Sequence, residues 1–355
     1  MKDTRETIKR KKDIDTASDH LNIMSSGSKL KKTTLSADER LSLRKIIHRY
    51  RLELGRFAIL CILFVILENI TGTAISAANI RNVLQSVAPL FFIVLGQLLV
   101  MIAGGIDFSV GSVFSFAGMV CAIVMVHYGI FPAVIAALVV GAACGAINGF
   151  LVVKVRIAPF IATFAMYVIA ASLAFVTTNG NSITLKHEAF SLFDRGHFIY
   201  GIPNYITYII IAVVLFHFVL KKTIFGRQIY ATGSNEEAAR LVGIPTGKIK
   251  FSAYICCGFL TAIAAIMNAS FLMTVECSAG QGLELNIIAA AIIGGASLFG
   301  GTGTALGALI GTVIVESIRN GINLLGINAF WSGTVTGVIT LLTVLLSNVH
   351  QRQKN

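Results

Sequence analysis

The chain is built from long apolar segments separated by short polar ones. Most segments are continuous and about 20 residues long, which is the helix length that crosses a hydrocarbon core of ~30 Å. A membrane β-barrel would instead show ~10-residue segments of alternating polarity. The pattern predicts an all-α, polytopic membrane protein with about ten transmembrane helices, at 54–72, 83–103, 107–127, 130–153, 158–178, 204–221, 251–272, 284–299, 301–320 and 329–348.

Polar residues are concentrated at the two ends of the chain and in one long loop. We expect a basic tail over 1–53, either disordered in the cytoplasm or in contact with anionic lipid. The end of that tail has the pattern of a basic amphipathic helix at a membrane surface. The predicted division is therefore a tail over 1–53, a transmembrane domain over 54–348 that includes the loop 222–250, and a second tail over 349–355.

Charge supports this division and orients the chain. Only 13% of the residues are charged, against about 25% in soluble domains, which argues against a soluble enzyme. Fifteen of the 29 Lys and Arg residues precede residue 57, and six more lie between Lys221 and Lys250. Because basic loops stay on the cytoplasmic side, ten spans with both termini in the cytoplasm give the best agreement.

The loop 222–250 carries local signals for a short helix. Asn235 is an N-cap residue, and Glu236 follows it in the positively polarised first turn. Gly243 is suited to end the helix, and Pro245 cannot continue it. Such an element either docks into a groove of a soluble partner or is a plain solvated loop.

A few polar residues fall inside or beside the apolar segments, where they are costly and often functional. We interpret Asp107 as a cap of the following helix, a sugar contact or a gating hydrogen bond; Ser109 lies beside it. Asn148 suits an interhelical hydrogen bond, and Glu284 suits the first turn of a span. All four are candidates for the translocation path or its gate.

A second polar group is expected near the outer end of a span. Glu316 and Asn320 share one helix face, as do Arg319 and Asn323. The group either ties two subunits together or lines an outer vestibule. Glu316, Asn320 and Asn323 are therefore further candidates for the path or gate.

Three motifs resemble ribose-type sugar permeases, the membrane subunits of bacterial ABC importers. They are GGIDFSVGS at Gly104–Ser112, GRQIYATGSNEEAARLVGI in the loop 222–250, and a C-terminal block that includes GGASLFGG at Gly294–Gly301. The resemblance covers roughly residues 60–348, and it does not extend to the basic tail.

The resemblance implies a permease in the bacterial inner or plasma membrane that acts as a homodimer or as a heterodimer with a paralogue. It also implies two cytoplasmic ATPase subunits and an extracytoplasmic sugar-binding protein. The loop 222–250 then corresponds to the segment that couples to the ATPase. The matching positions are Gly226, Arg227, Asn235, Glu236, Ala238, Ala239, Arg240, Gly243 and Ile244.

Candidate chemistry within the chain is sparse. The sequence has no GxxxxGK[ST] motif, so we expect no cofactor on this chain and ATP with Mg²⁺ on the partner ATPase. The cysteine and histidine spacings predict no metal site, and no nucleic-acid partner is expected. The leading hypothesis is the permease of an ATP-driven importer of ribose or a related sugar. The alternative is an ion-coupled secondary transporter of a small polar solute, which would need a relay of buried carboxylates.

Overall fold

The computed structural model describes residues 37–199 and 201–328, with isolated residues between 331 and 341. The chain divides into Met1–Arg51 and Leu52–Asn355, and every contact described below lies within the second unit. The helices are α1 Ala37–Thr71, α2 Ala77–Ile102, α3 Val110–Tyr128, α4 Ile130–Phe150 with a π-helical turn at Leu151–Val155, α5 Pro159–Val176, α6 Glu188–Arg195, α7 Asn204–Lys222, α8 Ile224–Ser234, α9 Glu236–Leu241, α10 Thr246–Leu272, α11 Leu283–Ile293 and α12 Ala305–Leu324. Two short antiparallel strands, β1 Ile183–Thr184 and β2 Thr274–Val275, pair with each other.

Eight of these helices are long and apolar enough to cross a membrane, counted over the residues that the structure describes. They are α1 from residue 53, α2, α3, α4 with its π-turn, α5, α7, α10 and α12. The prediction of a polytopic, all-α membrane protein is therefore confirmed. Individual boundaries differ by as much as six residues; the second span, for example, begins at Ala77 and was expected at 83.

The predicted span 284–299 differs from the structure. Helix α11 has only 11 residues and ends at Ile293; Gly294 is its C-cap, and Gly295 follows with a left-handed φ of 86°. Apolar composition hides this break, because the glycines that end the helix are not polar. The predicted span 329–348 and the two predicted tails lie largely or wholly outside the described residues, so the count of ten and the placement of both termini remain predictions.

The core of the bundle lies around α2 and α10. These are among the most buried of the candidate spans, and large side chains such as Phe91 and Tyr254 are almost completely enclosed. Helix α4 crosses α10 at backbone contact, where a Cβ on Gly141 would overlap the carbonyl oxygen of Gly258. Small residues at such a crossing allow the close packing on which membrane helix association depends.

The outer surface of the bundle is apolar. Helix α1 exposes side chains such as Phe57 and Ile62, and α5 exposes Phe160 and Phe164. Side chains of this kind are stable on a surface only where lipid or another protein covers them. Polar groups, by contrast, are gathered inside the bundle and at its two ends.

Candidate functional site

A cavity of about 810 Å³ opens between α2, α10 and α12. About half of its wall is polar, and Phe114, Phe271 and several aliphatic side chains make up the rest. Because amide and hydroxyl groups both donate and accept hydrogen bonds, such a wall can solvate a neutral polyhydroxylated solute without holding it tightly. The polar lining residues are Asn82, Ser86, Asn268, Thr274, Glu276, Glu316, Arg319, Asn320 and Asn323.

Three of the predicted path residues lie on this cavity: Glu316, Asn320 and Asn323. Arg319 lies beside them, with its Nη1 3.9 Å from Glu316 Oε1. The carboxylate is buried, whereas the side chain of Arg319 is about half exposed, at 48%. The group therefore lines the cavity; that the cavity is an outer vestibule and that the group contacts a second subunit both stay predictions.

Asn320 also connects two walls of the cavity. It donates from Nδ2 to Asn79 Oδ1 over 2.9 Å, and Asn79 donates back to Asn320 Oδ1 over 3.0 Å. Asn79 additionally donates to the Ala74 carbonyl over 2.9 Å. The reciprocal pair holds the first turn of α2 against the last turns of α12. Sequence reasoning missed Asn79, since nothing local links two residues that lie 241 positions apart.

Asp107 lies outside the cavity lining, in a buried polar cluster with Gln97 of α2 and Asn148 of α4. Its Oδ1 accepts from Ser109 N over 2.8 Å and from Ser109 Oγ over 2.6 Å, and Asn148 Nδ2 donates to Ser109 Oγ over 2.8 Å. With its amide nitrogen facing the Asp107 carbonyl, Gln97 bonds both backbone groups of Asp107. The helix cap expected at Asp107 is instead Ser109, which Asp107 holds in place.

Glu284 lies in the first turn of α11, as expected, and does not line the cavity. Its carboxylate packs against the backbone of α3, where a Cβ on Gly111 would lie 2.5 Å from Glu284 Oε2. The cavity thus brings together three of the seven predicted path residues, and Asp107, Ser109, Asn148 and Glu284 are packed elsewhere.

The short helix predicted in the loop 222–250 is present as α9. Asn235 caps it, accepting from Ala238 N over 2.9 Å. Gly243 follows the helix with a φ of 84°, and Ile244 N returns to the Ala239 carbonyl over 3.0 Å. Of the other residues matched to the coupling loop, Gly226 and Arg227 lie in the preceding helix α8.

An ion pair fastens α9 to the next helix. Lys250 of α10 donates to Glu236 Oε2 over 2.5 Å, and Arg240 lies 3.4 Å from Glu236 Oε1. The hydrogen bond from Lys250 is the main cause that lowers the pKa of Glu236 below its usual value. The carboxylate therefore stays ionised, and α9 is held in one orientation at neutral pH.

The tip of α9 presents an apolar surface that sequence reasoning did not select. Leu241 is 89% exposed and Val242 is 77% exposed, although both lie in an otherwise polar loop. Two large aliphatic residues beside Arg240 and Glu237 form an apolar centre with a charged rim, which is typical of a protein contact. Their apolar character within a polar segment was the signal available in the sequence.

On the far side of the bundle, α6 lies over the ends of α7 and α10. Gln85 donates to Asp194 Oδ2 over 2.6 Å, and Ser270 Oγ accepts from Asp194 N over 3.1 Å. Burial raises the pKa of Asp194 above its usual value, and the bond from Gln85 partly offsets this. These hydrogen bonds attach α6 firmly over this end of the bundle.

Comparison with known proteins identifies the class of molecule. Residues 79–344 match the model of a family described as the permease component of the branched-chain amino acid transport system. The chain belongs to this permease family. It is accordingly a multi-pass membrane protein, and the match includes both the cavity helices and the loop that carries α9.

Curated relatives extend the match over most of the chain. The chain is 42% identical to a probable ABC transporter permease protein of Sinorhizobium fredii, over 87% of its length and 93% of that protein. It is 37% identical to the ribose import permease protein of Escherichia coli over 82% of its length and 92% of that protein. It is 33% identical to an L-arabinose ABC transporter permease protein of Azospirillum brasilense, over 84% of its length and 88% of that protein. No solved structure matches the chain.

Proposed function

We propose that this permease is the membrane-spanning subunit of an ATP-driven importer of a monosaccharide, ribose or a related sugar. The observation that carries the proposal is the polar cavity between α2, α10 and α12, in a chain whose relatives are named as ribose and arabinose permeases. The wall offers amide and hydroxyl groups that complement sugar hydroxyls. Tight selection of the sugar then belongs to an extracytoplasmic binding protein.

The energy for transport comes from ATP hydrolysed by partner subunits and not from this chain. In this scheme two cytoplasmic ATPase subunits each receive an α9, with Leu241 and Val242 as the buried anchors and Arg240 in the charged rim. The local rigidity of α9 supports this role, because its cap, its ion pair to α10 and its glycine stop leave it little freedom to bend. A permease dimer, of identical or paralogous chains, presents two such helices.

Reconstitution tests the proposal. The permease is placed in vesicles with its ATPase and binding proteins, and uptake of labelled ribose, arabinose and leucine is followed. We expect uptake of a pentose that requires both ATP and the binding protein. Uptake that proceeds without ATP and collapses when the ion gradient is removed would instead establish the ion-coupled alternative.

A loop variant tests the docking site separately. In Arg240→Glu with Gly243→Pro, the rim charge is reversed and the left-handed φ of 84° becomes inaccessible, because proline fixes φ near −65°. We expect the variant to reach the membrane but to lose co-purification with the ATPase. Wild-type co-purification and transport would show that α9 is not the docking element.

A further inference from the structure

The two glycine-rich motifs, which begin at Gly104 and Gly294, meet at one point in the fold, beside the C-terminal end of α8. Gly301 N donates to the Ile102 carbonyl over 2.9 Å, which joins the loop after α11 to the end of α2. A Cβ on Gly300 would lie 3.0 Å from Gly104 Cα and 2.6 Å from Gly233 O. We call Gly104, Gly233, Gly300 and Gly301, with the Ile102 carbonyl, the glycine junction.

Gly233 brings α8 into direct backbone contact with this junction. A Cβ on Gly233 would overlap the Ile102 carbonyl oxygen and would lie 2.6 Å from Gly301 N. No side chain separates the three segments at this point. The backbone of one segment therefore cannot shift without displacing the other two. Tyr230, one turn earlier in α8, adds a hydrogen bond from its hydroxyl to the Gly303 carbonyl over 2.6 Å.

Both helices that leave the junction run to the cavity. Helix α2 ends at Ile102 and lines the cavity with Asn82 and Ser86, which lie about 25–30 Å away at 1.5 Å per residue. Helix α12 begins after Gly303 and lines the cavity through its last turns. At that far end the two helices are tied by the Asn79–Asn320 pair. The α2–α12 pair is therefore fixed at both ends.

We infer that the glycine junction transmits movement of the α8–α9 segment to the α2–α12 pair, and that Gly233 and Tyr230 are positioning residues for transport. The inference rests on the proposed function, because it takes α9 as the element that the ATPase moves. A shift of α8 pushes directly on the end of α2 and on the start of the loop into α12. The cavity walls then move without any contact between the ATPase and the cavity.

The first test is Gly233→Ala, with Gly55→Ala as the control, because a Cβ on Gly55 meets open space. The added methyl group forces α8 away from the Ile102 carbonyl and leaves the surface of α9 unchanged. We expect the ATPase to co-purify normally, the uptake rate to fall at least about tenfold, and ATP hydrolysis to stop responding to sugar-loaded binding protein. The control should behave as wild type.

Tyr230→Phe is the second variant, because it removes one hydrogen bond without adding volume. Tyr128→Phe is its control, since Tyr128 is 74% exposed. We expect the sugar transported per ATP hydrolysed to fall about three- to tenfold, in line with the loss of one hydrogen bond. If Gly233→Ala does not accumulate in the membrane, Tyr230→Phe alone tests whether the glycine junction transmits movement to the cavity.

Wild-type transport per ATP in Tyr230→Phe, or in a well-assembled Gly233→Ala complex, would overturn the inference. Failure of the proposed function gives a different result: the unaltered permease would then show no ATP-dependent uptake or would not bind the ATPase. A purely structural role for the junction would lower thermal stability but would leave the ratio of sugar to ATP unchanged.

Discussion

The Asn79–Asn320 pair is expected to hold the cavity end of α2 and α12 together. Replacing Asn320 by Leu keeps a similar volume and removes both hydrogen bonds of the pair. It also leaves the side-chain oxygen Oδ1 of Asn79 without its donor, and Asn79 is only 6% exposed. Asn79→Leu breaks the same pair and also the bond to the Ala74 carbonyl.

The magnitude follows from the number of bonds and their surroundings. Two neutral hydrogen bonds with net values of about 0.5–1.5 kcal/mol each give about 1–3 kcal/mol for Asn320→Leu. Contacts between membrane helices average about 0.6 kcal/mol, so the lower half of that range is expected. In the double Leu variant neither amide is left unpaired, so its cost should be smaller than the sum of the two single costs, by about 1–2 kcal/mol.

A double-mutant cycle measured by reversible unfolding in mixed micelles checks this expectation. The exposed Asn323 on the same helix gives the control Asn323→Leu, which should change the unfolding free energy by less than about 0.5 kcal/mol. If the two single changes add to within about 0.5 kcal/mol, the side chains do not interact and the reasoning is refuted. Sugar uptake by Asn79→Leu, which does not line the cavity, separates the effect of the tie from that of solute contact.

Three further outcomes are expected. Asn148→Ala should lower the unfolding free energy by about 1–3 kcal/mol, because it removes the bond to Ser109 in a buried cluster. Thr207→Val should be neutral or stabilising, since its buried hydroxyl has no hydrogen-bond partner among the described residues; equal losses of unfolding free energy in the two variants would contradict this. Glu236→Gln should speed amide exchange across α9 at pH 7 but not at a pH well below the folded-state pKa of Glu236, because a lowered folded-state pKa gives stability that is present above the ordinary glutamate pKa and is lost as the pH falls through the folded value. Leu241→Ala should weaken ATPase binding about tenfold with stability unchanged, and the matched change Ile224→Ala at another exposed position should not; equal affinities in a binding titration would remove Leu241 from the contact.

Features with local causes were predictable from the sequence, and features with distant causes were not. The bounds of α9 followed from Asn235 and Gly243, whose capping preferences act within one turn. The partnership of Asn79 with Asn320 depends on how α2 and α12 pack, which no local pattern encodes. The prediction for 284–299 counted apolar residues and continued the span through Gly294–Gly295, where backbone conformation ends the helix.

The brevity of α11 has a consequence for biogenesis. Eleven helical residues extend about 16 Å, roughly half of a ~30 Å hydrocarbon core, so this segment cannot be inserted as an independent span. Its terminal backbone groups need protein partners, because lipid offers none. Helix α11 packs on α2 and α12, and α12 is synthesised after it. Stable placement of α11 must therefore wait for α12, and a nascent chain that stops before residue 305 should be recognised by membrane quality control as incomplete.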